Sequence, residues 1–130
     1  MKRVLPGVVL AVLLCGCGQQ QPTLAGGKPV AYWVEAVKGP DARLRKTAVF
    51  KLGNVGPADP AVYPTVVAAL QDRDPAVRCA AVVAVLKFGD QAQEAEPTLA
   101  EMAKRDHDAK VREYATKALA RLPGNRQPER

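Results

Sequence analysis

Three stretches of this chain are written to one pattern. DARLRKTAVFKLGNVG begins at Asp41, DPAVRCAAVVAVLKFG at Asp74 and DAKVREYATKALARLP at Asp108, at spacings of 33 and 34 residues. Each reads aspartate, two residues, an aliphatic residue, arginine, two residues, alanine, three residues and a second aliphatic residue. The matched sets are Asp41/Asp74/Asp108, Leu44/Val77/Val111, Arg45/Arg78/Arg112, Ala48/Ala81/Ala115 and Leu52/Val85/Leu119. A unit this short cannot bury its apolar face alone, so the period commits the chain to stacking copies of one supersecondary element.

The element is a pair of helices. Upstream of each stretch lies a second amphipathic segment, VAYWVEAVKG, AVYPTVVAALQD and AEPTLAEMAKRD, in which Trp33, Val66 and Leu99 correspond, as do Val34, Val67 and Ala100. The leading aspartate of each unit supplies an N-cap acceptor, and Pro75 stands at a first helical position, where its missing N–H costs nothing. Gly56 and Gly89 are placed to stop the first two second helices, and Pro123 takes that role after the third. β-branched residues fall among alanines at helical spacing and aromatics make up 5% of the chain. The expected class is therefore all-α. At about 100° per residue, Leu44, Ala48, Leu52 and Val55 share one stripe and are the expected core face of the first repeat.

These residues resemble HEAT repeats, in particular the short bacterial kind grouped with phycobilisome-lyase-type HEAT-like repeats, over about Pro29 to Leu122. Ankyrin and tetratricopeptide repeats have similar periods, but their Thr-Pro-Leu-His and Trp/Leu-Gly/Tyr patterns are missing, whereas Val-Arg-x-x-Ala in the second helix is present. The resemblance implies a short right-handed α-solenoid of three HEAT-like antiparallel helix pairs, with the second helices lining the concave side. It further implies that Arg45, Arg78 and Arg112 pair with a turn aspartate or a neighbouring repeat. Val49 and Val82 lie on the flank that faces the next repeat, and their counterpart Thr116 is polar, as a capping repeat requires.

The N-terminus carries a different kind of information. Met1-Lys2-Arg3 precedes an apolar run from Val4 to Leu14, the layout of a secretory signal and too short for the roughly 20 residues of a membrane span. Leu14-Cys15-Gly16-Cys17 resembles the lipobox of bacterial lipoproteins, with an aliphatic residue three places before the modified cysteine and a small residue just before it. Only Cys17 fits. The resemblance implies a cleaved signal peptide over residues 1–16, acyl chains on Cys17, and an extracytoplasmic domain anchored to a bacterial membrane; Gly18 is compatible with either of the two membranes. Residues 17–28 are expected to be a flexible tether, 29–122 the three repeats, and 123–130 a disordered tail.

Loss of Lys2 and Arg3 with the signal lowers the formal net charge from +6 to +4. Export sets such a mild basic balance against nucleic acid as a partner. Facing away from the buried stripe are Arg43, Lys46 and Phe50 in the first repeat, Cys79, Val83 and Leu86 in the second, and Lys110, Glu113, Lys117 and Arg121 in the third. Two readings follow. Either Phe50, Val83 and Leu86 are the apolar centre, and Arg43, Lys46, Lys110 and Lys117 the basic border, of a surface for a protein or peptide segment, or neighbouring helices cover the apolar residues and the lysines are simply solvated.

Catalytic, metal and cofactor roles find no support in the residues. The single histidine, His107, sits in an inter-helix turn; the di-iron hydroxylases built on this repeat need several His-Glu pairs, and bilin lyases share only the repeat. Cys79 has no neighbouring His to support a thiolate and reads as a small packing residue. The expected function is a non-catalytic, membrane-anchored adaptor or scaffold that binds a protein at the cell envelope; the alternative is an accessory subunit that positions an enzyme or its substrate.

Overall fold

The computed structural model describes residues 23–125. A two-stranded antiparallel hairpin, β1 (Leu24–Ala25) and β2 (Lys28–Pro29), opens the fold. Six α-helices follow: α1 (Val30–Ala36), α2 (Ala42–Val55), α3 (Val62–Ala69), α4 (Pro75–Val85), α5 (Glu96–Arg105) and α6 (Ala109–Arg121). Helices α1, α3 and α5 pack on α2, α4 and α6 respectively, and α2, α4 and α6 also pack side by side as one continuous row. The protein is an all-α solenoid of three stacked helix pairs.

Local chemistry sets the helix boundaries where the repeat placed them. The Asp41 carboxylate accepts from the Arg43 amide, that of Asp74 from the amides of Ala76 and Val77, and that of Asp108 from the Val111 amide. Each satisfies donors that a helix start leaves without an intrahelical acceptor. At the other end, Gly56 (φ 60°) halts α2. Helix α4 tightens into a 3₁₀ segment (Leu86–Ala95) that turns sharply at Gly89 (φ 57°). Both positions lie in the left-handed region, where glycine alone has no Cβ to strain.

The core runs between the two rows. Leu52, Leu70, Leu99 and Leu122 are its largest fully buried side chains, and Trp33, Val66 and Leu99, the equivalent outer-helix positions, are all buried. Ala48, Ala81 and Ala115 are each fully buried, a small residue at the same place in every repeat. Closer still is Gly53, where a Cβ would lie 2.8 Å from Ala84 Cβ, so α2 and α4 touch at a point that admits no side chain.

A charged ladder ties the repeats together. Arg45 on α2 spans the carboxylate of Asp72, in the turn before α4, at 2.9 and 3.0 Å, and Arg78 on α4 spans that of Asp106, before α6, at 2.9 and 2.8 Å. Nη1 of each arginine also donates to two carbonyls of the turn preceding its own helix, Gly39 and Pro40 for Arg45, Asp72 and Arg73 for Arg78. Planar, bidentate pairing of this kind keeps a shielded charge fully bonded. Burial alone would raise the Asp72 and Asp106 carboxyls; the arginine forks and the amides of Asp74 and Asp108 outweigh it and hold both below the ordinary carboxylate range. Arg112 makes the same two carbonyl bonds, to Asp106 and His107, and has no carboxylate partner among the described residues.

Three expectations need correction here. Leu44 is 37% exposed while its counterparts Val77 and Val111 are fully buried, because α2 ends the inner row and Leu44 stands at that open end; Val55 is half-buried. The tether was expected to run to residue 28, yet from Thr23 onward the chain is a docked hairpin: the Trp33 indole N–H donates to the Ala25 carbonyl at 2.7 Å, the Val30 amide to the Thr23 carbonyl at 3.1 Å, and Ala25 is buried. Gly26 and Gly27, both at positive φ, form the tight two-residue turn that such a hairpin demands. The expected tail likewise begins in order, since Pro123–Asn125 is a 3₁₀ turn whose Gly124 amide donates to the Gln93 side chain and whose Asn125 side-chain amide donates to the Leu119 carbonyl. The signal peptide, Cys17, residues 18–22 and 126–130 lie outside the described residues. Among the described residues no helix is long and apolar enough to cross a membrane.

Candidate interaction groove

The helices of the inner row present the same face side by side. Arg43, Lys46 and Phe50 fall three, four and seven residues apart on α2, as neighbours on one helix face must. Their counterparts on α4 are Ala76, Cys79 and Val83. Together with Thr47, Pro75, Ala80, Ala84, Lys87, Asp108, Lys110 and Tyr114 these residues line a groove of about 730 Å³. Its floor is made of small side chains. Phe50 (55% exposed) and Val83 (43% exposed) stand up from it on adjacent helices.

Charge in the groove is one-sided. Arg43, Lys46, Lys87 and Lys110 line it and none of them forms an ion pair among the described residues. The Lys87 ammonium lies 5.2 Å from the centre of the Phe50 ring and donates to the Asn54 side-chain carbonyl. Neither α2 nor α4 contains an acidic residue. The one carboxylate in the lining, Asp108, is engaged in capping α6.

Of the residues singled out from sequence, the structure brings Arg43, Lys46, Phe50, Val83 and Lys110 together. Leu86 is not among them. It lies where α4 gives way to the 3₁₀ segment and is half-buried against the core. Lys117 lies one turn beyond the groove and pairs with Glu113 on its own helix at 2.6 Å, an interaction that lowers the Glu113 pKa. The sequence reading missed Thr47, Ala80 and Tyr114. They occupy one equivalent position in the three repeats, so the repeat register carried the signal. Lys87 was legible in the same way, being 33 residues from Asn54, the side chain it bonds.

Cys79 lines the groove half-buried. Burial first, then Asp108, pushes its thiol pKa up. Among the described residues no group of three or more His, Cys, Asp or Glu side chains is arranged to hold a metal ion. The groove combines raised apolar side chains, a floor of small residues and cations without ion-pair partners among the described residues, a make-up suited to binding.

No curated protein matches the chain. A family model described as HEAT repeats matches residues 30–125, the whole stretch from the start of α1 to the turn that closes α6. With its capped helix pairs, its arginine–aspartate ladder and that match in agreement, the chain belongs to the HEAT-repeat family.

Proposed function

We propose that this protein is a non-catalytic adaptor of the bacterial cell envelope, held to the membrane by acyl chains on Cys17 and binding a protein partner in the groove of α2, α4 and α6. One observation carries the binding half of the reading: Phe50 and Val83, the two most exposed large hydrophobic residues of the inner row, stand side by side above a concave floor. Exposed apolar side chains that are grouped in a concavity and rimmed by charge mark an interaction site. HEAT repeats commonly serve as protein-interaction scaffolds, which agrees with this use of the groove. The anchoring half is supported by the order of cues in Met1–Cys17.

Affinity purification of the full chain from solubilised membranes, run beside a Phe50→Ala/Val83→Ala variant, tests the reading. A protein recovered with the native chain and lost with the variant is expected. Equal recovery with both would remove the groove from the interaction.

A further inference from the structure

The groove's charges narrow what can occupy it. Arg45 and Arg78, which hold the fold together, are already paired with carboxylates; the four cations in the groove form no ion pair among the described residues. A basic segment laid there would face four like charges, and a neutral apolar one would strip water from those cations and return nothing for it. Carboxylates avoid both costs. Asp108, the one carboxylate in the lining, accepts from the Val111 amide at 3.0 Å and forms no ion pair with any of the four, so the cations of the lining outnumber its carboxylates four to one.

Shape narrows it further. Neighbouring helix axes lie roughly 10 Å apart, so a crossing from α2 to α6 spans about 20 Å, the length of about six extended residues. Thr47, Ala80 and Ala84 leave room on the floor, and Phe50 and Val83 offer apolar walls for one inserted side chain. A polyanion without apolar groups would leave those walls in water.

We infer that the groove takes an acidic protein segment: about six extended residues that set one aromatic or large aliphatic side chain beside Phe50 and Val83 and direct aspartates or glutamates at Arg43, Lys46, Lys87 and Lys110. The inference rests on the groove being the binding surface, as proposed above. It adds the chemical class of the partner.

The test selects a phage-displayed library of random 12-residue peptides on the detergent-purified full chain, then measures the enriched peptides, labelled, by fluorescence anisotropy. Enriched sequences are expected to be acidic around one apolar residue. Their affinity should fall at least about tenfold for Phe50→Ala/Val83→Ala and about threefold for Lys46→Ala/Lys110→Ala, because side chains at a desolvated centre outweigh rim charges. All four side chains are exposed, and circular dichroism checks that the variants keep the fold. Neutral or basic peptides that still require Phe50 and Val83 would overturn the acidic class and leave the groove standing. Enriched peptides indifferent to both variants, or no enrichment at all, would remove the groove and this inference with it. Binding abolished by the lysine pair but untouched by the apolar pair would point to an anionic polymer or lipid head group, and the inference would fall.

Discussion

At the scale of single residues, two arginines in one register do different amounts of structural work. Arg78 closes a rung with Asp106, both largely shielded from solvent, whereas Arg112 bonds carbonyls alone. Arg78→Ala should therefore cost about 2 kcal/mol, in the range of charge-assisted hydrogen bonds, and Arg112→Ala clearly less. Urea unfolding of the two variants measures the difference; equal losses would mean that the carboxylate adds nothing. The same rungs set a pH dependence. Asp72 and Asp106 have folded pKa values below the ordinary one, so the folded state binds their protons less readily than the unfolded chain does. Their contribution is complete above the unfolded carboxylate pKa of about 4 and disappears as the pH falls through the folded values. Melting temperatures should drop steeply below about pH 4, and Asp72→Asn/Asp106→Asn should flatten that drop while lowering stability at pH 7.

At the scale of elements, the contact of α2 with α4 reverses an ordinary expectation. Replacing a mid-helix glycine with alanine normally stabilises by about 1 kcal/mol. Gly53 sits where a Cβ would press on Ala84, so Gly53→Ala should lower the melting temperature instead. Ala81→Leu, at a fully buried position on α4, should cost about 1 to 3 kcal/mol by overpacking, and thermal unfolding followed by circular dichroism reads both variants. The N-terminal hairpin has one side-chain hydrogen bond to α1, beside a backbone bond and the burial of Ala25. Trp33→Phe keeps an aromatic ring but deletes the donor to the Ala25 carbonyl, which should cost about 1 kcal/mol and speed amide hydrogen exchange across residues 24–29. Unchanged exchange there would show that apolar packing of Ala25 suffices.

For the whole molecule, the proposed anchor and the folded domain are separable. Acyl chains add about 0.8 kcal/mol for each buried methylene, and more than one chain gives stable attachment, so membrane association should depend on Cys17 and not on the solenoid. Mass spectrometry should find acylated Cys17 at the start of the mature chain, and Cys17→Ser should move the protein to the soluble fraction with its melting temperature unchanged. A Cys17→Ser variant that still fractionates with membranes would sink the lipid anchor. The exposed Thr116, where Val49 and Val82 are buried, leaves the third repeat with a polar flank, in keeping with the end of a stack.

Helix starts, helix stops and the alanine contact positions were legible in the sequence because each is local or periodic. An aspartate caps the helix it precedes, a glycine at positive φ ends one, and a position repeated every 33 or 34 residues meets the same neighbour each time. The repeat register likewise found six of the groove residues: Arg43, Lys46, Phe50, Cys79, Val83 and Lys110. Tertiary structure decided what periodicity averages away. Leu44 matches Val77 in sequence yet lacks its cover, because a row of helices has ends and a repeat pattern does not. Leu86 is drawn half-buried against the core at the end of α4, and Gly26-Gly27, a linker by composition, is the turn of a hairpin whose Ala25 carbonyl accepts from Trp33, eight residues on. Each of these outcomes depends on what stands on the other side of a side chain, and that is set only when the helices pack.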